Sequence, residues 1–199
     1  MRYGTIPPPR ATLQPVGQDL ITLALAGRFV PLVGYEAEVA RTLAILARVG
    51  DQRRNPVLIG EAGEARFAVV AEVVRRMAMG EAPEELAGRR VLALDVERLA
   101  AGARDHGESE RRLREVLWQV NRRGCVLFVE DFPALLGGDP RYPIDGAAVL
   151  KPALHRRQVR ILGTATLDAY QRFIECDAAI HSCVVPVMLG ELTRGITLR

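Results

Sequence analysis

The sequence has few cysteines, and this limits the disulfide and metal chemistry open to it. Its 199 residues contain three, Cys125, Cys176 and Cys183, which are too few and too unevenly spaced for a disulfide framework. Cys176 and Cys183, with His181 between them, raise the question of a metal site. Their spacing fits no common zinc pattern and a fourth ligand is not evident. We therefore expect ordinary buried or surface positions and no bound metal.

Aromatic residues are also scarce, at 5% of the chain, and the net charge is only +3 at pH 7. A nucleic-acid interface is typically a basic stripe with aromatics, whereas these cations are scattered among acids. We expect no nucleic-acid partner; a nucleic-acid adaptor would bind DNA with a steep dependence on salt. Lysine is nearly missing: Lys151 is the only one among 27 basic residues. A single arginine in place of a lysine can therefore reflect composition alone.

Long hydrophobic runs are missing too. No apolar run reaches the roughly 18 residues that span a bilayer, and the start, MRYGTIPPPR, lacks the apolar centre of a signal peptide. The sequence thus predicts a cytoplasmic protein without a membrane partner.

The chain does contain a regular alternation of helical and strand patterns. Residues 1–16 hold four prolines and are expected to form an extended arm, and residues 17–199 a single α/β domain. Several strands are apolar on both faces, which is typical of a parallel sheet covered by helices on both sides. The expected strands are 56–60, 91–94, 125–131, 158–167 and 183–189. The expected helices are 19–26, one after Gly34, 66–79, 108–123, 145–155 and 168–180, with a loop at 137–140.

The stretch NPVLIGEAGEARFAVV, residues 55–70, places a glycine-bearing turn between a strand and a helix. A phosphate-binding loop has this arrangement, with the pattern G-x-x-x-x-G-K-[ST]. Counted from Gly60, the second glycine, the lysine and the hydroxyl residue are replaced by Ala65, Arg66 and Phe67.

Several blocks occur in the order and spacing of one family. They are GQDLITLALAGRFVPLVGYEAEV, NPVLIGEAG, GEAPEELAGRRVLALDVERLAAGA, LKPAL and TATLDAYQRFIECDAAI. Together they resemble the first AAA+ module of the ClpA, ClpB and ClpC protein unfoldases, from about Leu13 to about Leu198. The resemblance implies an AAA+ three-layer α/β sandwich of the P-loop NTPase type, with a five-stranded, mainly parallel sheet. It also implies hexameric relatives that thread polypeptides through a central pore.

The resemblance assigns nucleotide-binding roles to particular positions. The adenine side corresponds to Val33 and Gly34. The phosphate loop corresponds to Gly60, Glu61, Ala62, Gly63, Glu64, Ala65, Arg66 and Phe67. Glycines let backbone N–H groups face the phosphates, but Phe67 cannot ligate magnesium as the family's hydroxyl does. The loop is therefore predicted to be vestigial.

The other family positions are altered as well. Glu130 and Asp131 stand where the family has Asp then Glu for the metal and the attacking water; we expect one of them to pair with Arg66. Thr164, with Thr166, lies where the family senses the terminal phosphate, although ordinary strand-end hydroxyls fit equally well.

Three further elements of the family's ATPase differ here. The positions that match the family's pore-loop aromatic hold Arg104, Asp105 and His106. The region of the family's arginine finger holds His181, Ser182 and Cys183. The family's small helical lid is expected to be absent from residues 1–199, since the sequence ends where it would begin; either the sequence stops short of the lid or the protein lacks it.

These changes predict a catalytically degenerate pseudo-ATPase, with no catalytic residue intact, that acts as a scaffold or regulatory protein-interaction module. Its partner would be a protein, for example an active AAA+ unfoldase or a component of its complex, and self-association is possible. The charged helix 108–123, with Trp118, is a candidate contact, although such helices are often plain surface elements. The alternative is a weak ATP-binding chaperone subunit of the ClpB or ClpC type, and only then are ATP or ADP and magnesium expected as cofactors.

Overall fold

Five short apolar segments pair into one parallel sheet. The structure is a computed structural model that describes residues 17–101, 106–138 and 145–190. The strands are Asn55–Ile59 (β1), Val91–Ala93 (β2), Val126–Val129 (β3), Arg160–Ala165 (β4) and Val184–Met188 (β5). Their order is β2-β3-β4-β1-β5, and every neighbouring pair is parallel. The predicted five-stranded parallel sheet is confirmed.

Helices cover both faces of this sheet. The α-helices are Leu20–Leu25 (α1), Glu36–Ala47 (α2), Gly63–Met79 (α3), Val96–Ala100 (α4), His106–Arg123 (α5), Ala147–His155 (α6), Leu167–Tyr170 (α7) and Ala178–His181 (α8). Short 3₁₀ turns lie at Gly50–Gln52 and Glu84–Leu86, and π-helical turns at Ala134–Gly138 and Gln171–Glu175.

The alternation of side chains along the strands divides the core into two layers. On β1, Leu58 packs with apolar residues of α1, α2 and α3, whereas Val57 and Ile59 pack with residues of α5, α6 and α8. All five residues of β1 are buried. Both faces of the strand contact helices, which explains why its apolar residues do not alternate with polar ones. The three-layer arrangement predicted from the sequence is therefore confirmed.

Capping residues set the helix boundaries. The Asp19 carboxylate accepts a hydrogen bond from the Ile21 amide and starts α1. Gly80 ends α3 with φ 75°, a left-handed conformation that glycine adopts without a steric cost. The Asp95 carboxylate accepts a hydrogen bond from the Arg98 amide and starts α4, a short helix that was not among the helices expected from the sequence.

The single helix predicted for 168–180 was wrong. The structure divides this segment into α7, a π-helical turn and α8. The physical reason is the side chain of Asp177, which accepts hydrogen bonds from the amides of Ala179 and Ile180 and begins a new helix.

Some sequence predictions fall outside the described residues. The arm 1–16 lies outside them, as do positions 139–144, so only Gly137 and Gly138 of the predicted loop are seen, in a π-helical turn. Within residues 17–190, apart from the two gaps, no helix has the length and apolar character needed to cross a membrane.

Candidate functional site

The loop after β1 leads directly into α3. Only Gly60, Glu61 and Ala62 lie outside regular structure, since α3 begins at Gly63 and not at residue 66 as predicted. The amide of Arg66 donates to the Ala62 carbonyl oxygen at 3.2 Å, as a backbone group does inside a helix. The second half of the expected phosphate loop is therefore wound into the first turn of α3.

The Arg66 side chain folds back over this loop. Its guanidinium donates to the carbonyl oxygens of Gly60 and of Glu61, the latter at 3.0 Å. Its Nε is buried without a hydrogen-bond partner among the described residues. The loop carbonyls thus face a guanidinium of their own chain.

The predicted ion pair between Arg66 and Glu130 or Asp131 was wrong. Both carboxylates follow β3, whereas Arg66 follows β1, and β4 lies between these two strands. The guanidinium instead binds the carbonyl oxygens of Gly60 and Glu61.

Phe67 makes an aromatic contact where the family has a hydroxyl. Its ring lies 6.2 Å from the Phe29 ring in an edge-on arrangement and 6.4 Å from the Phe128 ring, measured between centroids. Such geometries are favourable for aromatic pairs. Phe67 therefore connects the segment before α2 to β3, although 40% of its surface stays exposed.

The predicted adenine side lies on the segment between α1 and α2. Val33 is 79% exposed, and Gly34 has φ 104° and donates its amide to the Glu36 carboxylate at 3.0 Å. Hydrogen bonds from two backbone amides, that of Gly34 with the larger effect and that of Glu36 itself, lower the pKa of the Glu36 carboxyl.

Glu72 on α3 holds this segment to the phosphate loop's helix, a role that sequence reasoning missed. Its carboxylate accepts the Leu32 amide at 3.3 Å and binds the guanidinium groups of Arg75 and Arg76 at 2.8 and 2.9 Å. The side chain is only 3% exposed. The hydrogen bond from Arg75 is the main reason why the pKa of Glu72 falls to about 2, against the opposing effect of burial. The i, i+3, i+4 spacing of one glutamate and two arginines was the available signal.

The acids after β3 share the carboxyl edge of the sheet with the loop. Glu130 and Asp131 are both exposed, and Asp131 has φ 54°, which is unusual for a residue other than glycine. The Asp131 amide donates to the Thr164 hydroxyl at 3.2 Å, and Thr164 is 1% exposed. The Thr164 hydroxyl thus fixes the backbone after β3, and that of Thr166 caps α7.

The remaining predicted positions are only partly described. Arg104 and Asp105 lie outside the described residues, and His106 is the first residue of α5. His181 ends α8, with its ring 6.4 Å from the Tyr170 ring. In the part of the chain that the structure covers, no cluster of His, Cys, Asp and Glu could hold a metal ion. Cys176 instead donates its thiol to the Gln171 carbonyl oxygen at 3.1 Å.

Curated relatives match most of this chain. It is 36% identical over 184 residues to the ATP-dependent Clp protease ATP-binding subunit ClpC of Staphylococcus saprophyticus, covering 92% of the chain and 22% of that relative. It is 39% identical over 173 residues to the chaperone protein ClpB of Gloeobacter violaceus, covering 85% of the chain and 20% of that relative. The chain thus spans about a fifth of the length of these relatives. No family model matches it.

Solved structures match the same region. The S. cerevisiae Hsp104–ADP complex superposes with a TM-score of 0.78 at 31% identity, covering 90% of this chain and 31% of that one. A second Hsp104 structure, an extended conformation with casein, has a TM-score of 0.76 at 32% identity, over 90% of this chain and 30% of its own.

Proposed function

We propose that this chain, which is an AAA+ module of the Clp family, is a protein-interaction module that no longer hydrolyses ATP. The observation that carries the proposal is the state of Arg66, whose guanidinium is bound to the carbonyl oxygens of its own phosphate loop.

Phosphoryl transfer in this class of protein depends on electrostatic positioning of the triphosphate. A loop lysine reaches the terminal phosphates, and a serine or threonine hydroxyl binds magnesium. The Arg66 guanidinium is bound to carbonyl oxygens of the loop. Magnesium requires oxygen ligands, and the side chain of Phe67 has no oxygen. The residues at 66 and 67 therefore do not fit a magnesium-bound nucleoside triphosphate.

The acids support the same proposal. Glu130 is one methylene longer and Asp131 one methylene shorter than the family's pair, and misplacement by about 1 Å can lower a rate about a hundredfold. The sequence also has His181 and Ser182 where the family supplies an arginine to the neighbouring subunit.

The alternative function is a weak ATP-binding chaperone subunit. One observation favours it: Gly63, Glu64 and Ala65 form the first turn of α3, so their amides lie at the positive end of a long helix. Such amides bind phosphate without side-chain help. The ClpC relative is described as an ATP-binding subunit, and the Hsp104 structure is an ADP complex.

Titration of the purified chain with ATP and magnesium separates the two functions. We expect no heat of binding, no rise in melting temperature and no phosphate release. The matched control is a variant with Ala65→Gly, Arg66→Lys and Phe67→Thr, which restores the loop pattern and is expected to gain nucleotide binding. ATP turnover by the natural sequence would contradict the proposal, and binding without turnover would favour the alternative.

The proposed partner is a protein, for example an active AAA+ unfoldase or a component of its complex. One of the Hsp104 structures that resemble this chain is a complex with casein, and this similarity supports a protein partner. Mixing the chain with a candidate unfoldase and measuring co-elution tests it, and elution of the chain alone tests self-association. The cytoplasmic location stays a prediction.

A further inference from the structure

Trp118 is an exposed aromatic residue on the outer side of α5. It is the only tryptophan in the sequence, and 56% of its surface is accessible. The inner side of the same helix, with Leu113, Val116 and Val120, is fully buried in the core. Packing therefore accounts for the inner residues of α5, whereas it does not account for the indole.

The indole forms one side of a groove. The groove has a volume of about 520 Å³ and is lined by Trp118, Gln119, Arg122 and Arg123, a set called here the Trp118 groove. The Arg122 guanidinium lies over the indole, 5.3 Å from the ring centroid, within the range of a cation–π interaction. This volume is sufficient for a few side chains of a ligand, and its lining combines one apolar surface with two cations.

The cations of the groove have no carboxylate partners among the described residues. Earlier in α5, Arg112 is paired with Glu108 at 2.8 Å and Arg114 with Glu110 at 3.0 Å. No comparable ion pair forms in the described part of the chain for the two arginines of the last turn. Cations at a helix C-terminus interact favourably with the helix dipole, but this does not neutralise them.

Positive charge continues from the groove along the amino edge of the sheet. Arg89 donates to the Gly124 carbonyl oxygen at 2.7 Å, directly after the groove, and Arg160 begins the neighbouring strand β4. Burial is the main reason why the pKa of Arg160 is lowered to about 10, and Arg53 and Arg89 lower it further. These arginines therefore lie close enough to repel one another, and Glu85 acts on Arg160 in the opposite direction.

We propose that the Trp118 groove docks an acidic segment of a partner protein. An apolar side chain of the segment would pack on the indole, and its carboxylates would bind Arg122 and Arg123. Exposed Glu84 and Glu85 interrupt the basic edge near Arg89, and the groove has only one aromatic ring on which a base could stack, so a peptide fits better than a single-stranded nucleic acid. The inference rests on the interaction role proposed above. It does not rest on the loss of nucleotide binding, because the groove lies at the sheet edge opposite to the phosphate loop.

Because the chain has a single tryptophan, its fluorescence reports directly on the groove. The probe is a synthetic peptide with a central leucine flanked by glutamates; its glutamine counterpart and a single-stranded oligonucleotide are the comparisons. We expect the acidic peptide alone to cause a saturable change in emission, with binding confirmed by calorimetry. Arg122→Glu should weaken binding by about tenfold, since it replaces attraction by repulsion at an exposed site.

The matched control is Arg41→Glu, which makes the same change of charge on the exposed side of α2, on the other face of the sheet. It should bind as the natural sequence does, and Trp118→Ala should lose binding in calorimetry while keeping its circular dichroism spectrum. No binding by either method, tighter binding of the oligonucleotide, or equal weakening by both charge reversals would overturn the proposal. Since ATP titration uses neither this peptide nor these variants, the two proposals fail separately.

Discussion

Replacing Glu72 by glutamine removes the central charge of the network that joins α3 to the segment before α2. The pKa of this carboxyl falls from 4.5 to about 2 in the folded protein, and a shift of that size corresponds to about 3 kcal/mol of stability. Arg75 and Arg76 are 20% and 25% exposed, so water replaces part of the lost interaction. We therefore expect Glu72→Gln to lower the free energy of unfolding by about 2 kcal/mol at neutral pH.

The pH dependence gives this prediction its sign. The folded-state pKa is depressed, so between about pH 4.5 and about pH 2 the unfolded chain binds the additional proton. The contribution of Glu72 is complete above this window and is lost as the pH falls through it. Glutamine does not titrate, so the difference between the natural sequence and Glu72→Gln should shrink from pH 4.5 downward. Urea unfolding, followed by circular dichroism at several pH values, measures this difference.

Glu81→Gln is the control for this experiment. Glu81 binds Arg75 at 3.0 Å but is 52% exposed, and exposed ion pairs contribute about 0.2–1 kcal/mol. It should therefore change stability far less than Glu72→Gln. The reasoning would be refuted if Glu72→Gln matched the natural sequence at neutral pH, or if their difference stayed constant down to pH 2.

Two further predictions concern buried groups. The Asn55 side chain accepts the Ile161 amide at 2.8 Å and donates to the Cys183 carbonyl oxygen at 3.0 Å. Asn55→Leu should therefore lower the free energy of unfolding by about 2 kcal/mol in urea, because the Ile161 amide and the Cys183 carbonyl each lose a buried hydrogen-bond partner. Full stability of that variant would contradict this account. Iodoacetamide should modify Cys176 rapidly in the folded protein and leave Cys125 and Cys183 unreacted, because both are buried and burial raises the pKa of the Cys125 thiol. Mass spectrometry of the peptides checks this, with urea-unfolded protein as the control; equal labelling of all three in the folded state would contradict it.

The fold was largely predictable because its signals are local. Apolar runs predicted the strands, and glycines predicted several ends, including Gly80 after α3. The prediction failed between 168 and 180 because an apolar pattern continued across Asp177, whose side chain caps a new helix. The start of α3 was also misplaced, since the loop pattern placed residues 63–65 outside a helix that in fact includes them.

The sequence predicted which residues form the candidate site, but it did not predict which contacts their side chains make. The strand, turn and helix around residues 55–70 identified the phosphate loop, and Arg66 and Phe67 identified its departure from the family pattern. The partners of Arg66 were mispredicted, because its guanidinium folds back onto the carbonyl oxygens of its own loop and does not reach across β4 to Glu130 and Asp131. The role of Glu72 in joining α3 to the segment before α2 was missed, since Leu32, whose amide donates to its carboxylate, is 40 residues away in the chain.

The sequence by itself determined the class of fold, the order of its elements and the missing lysine and hydroxyl of the loop. These follow from periodicity, turn chemistry and residue identity, which act over a few neighbouring residues. The tertiary structure alone decided that the Arg66 guanidinium binds the carbonyl oxygens of its own loop, that Phe67 contacts Phe29 and Phe128, and that Trp118 borders a cationic groove. These contacts depend on which distant segments the packed sheet brings within a few ångströms, and no local pattern records that.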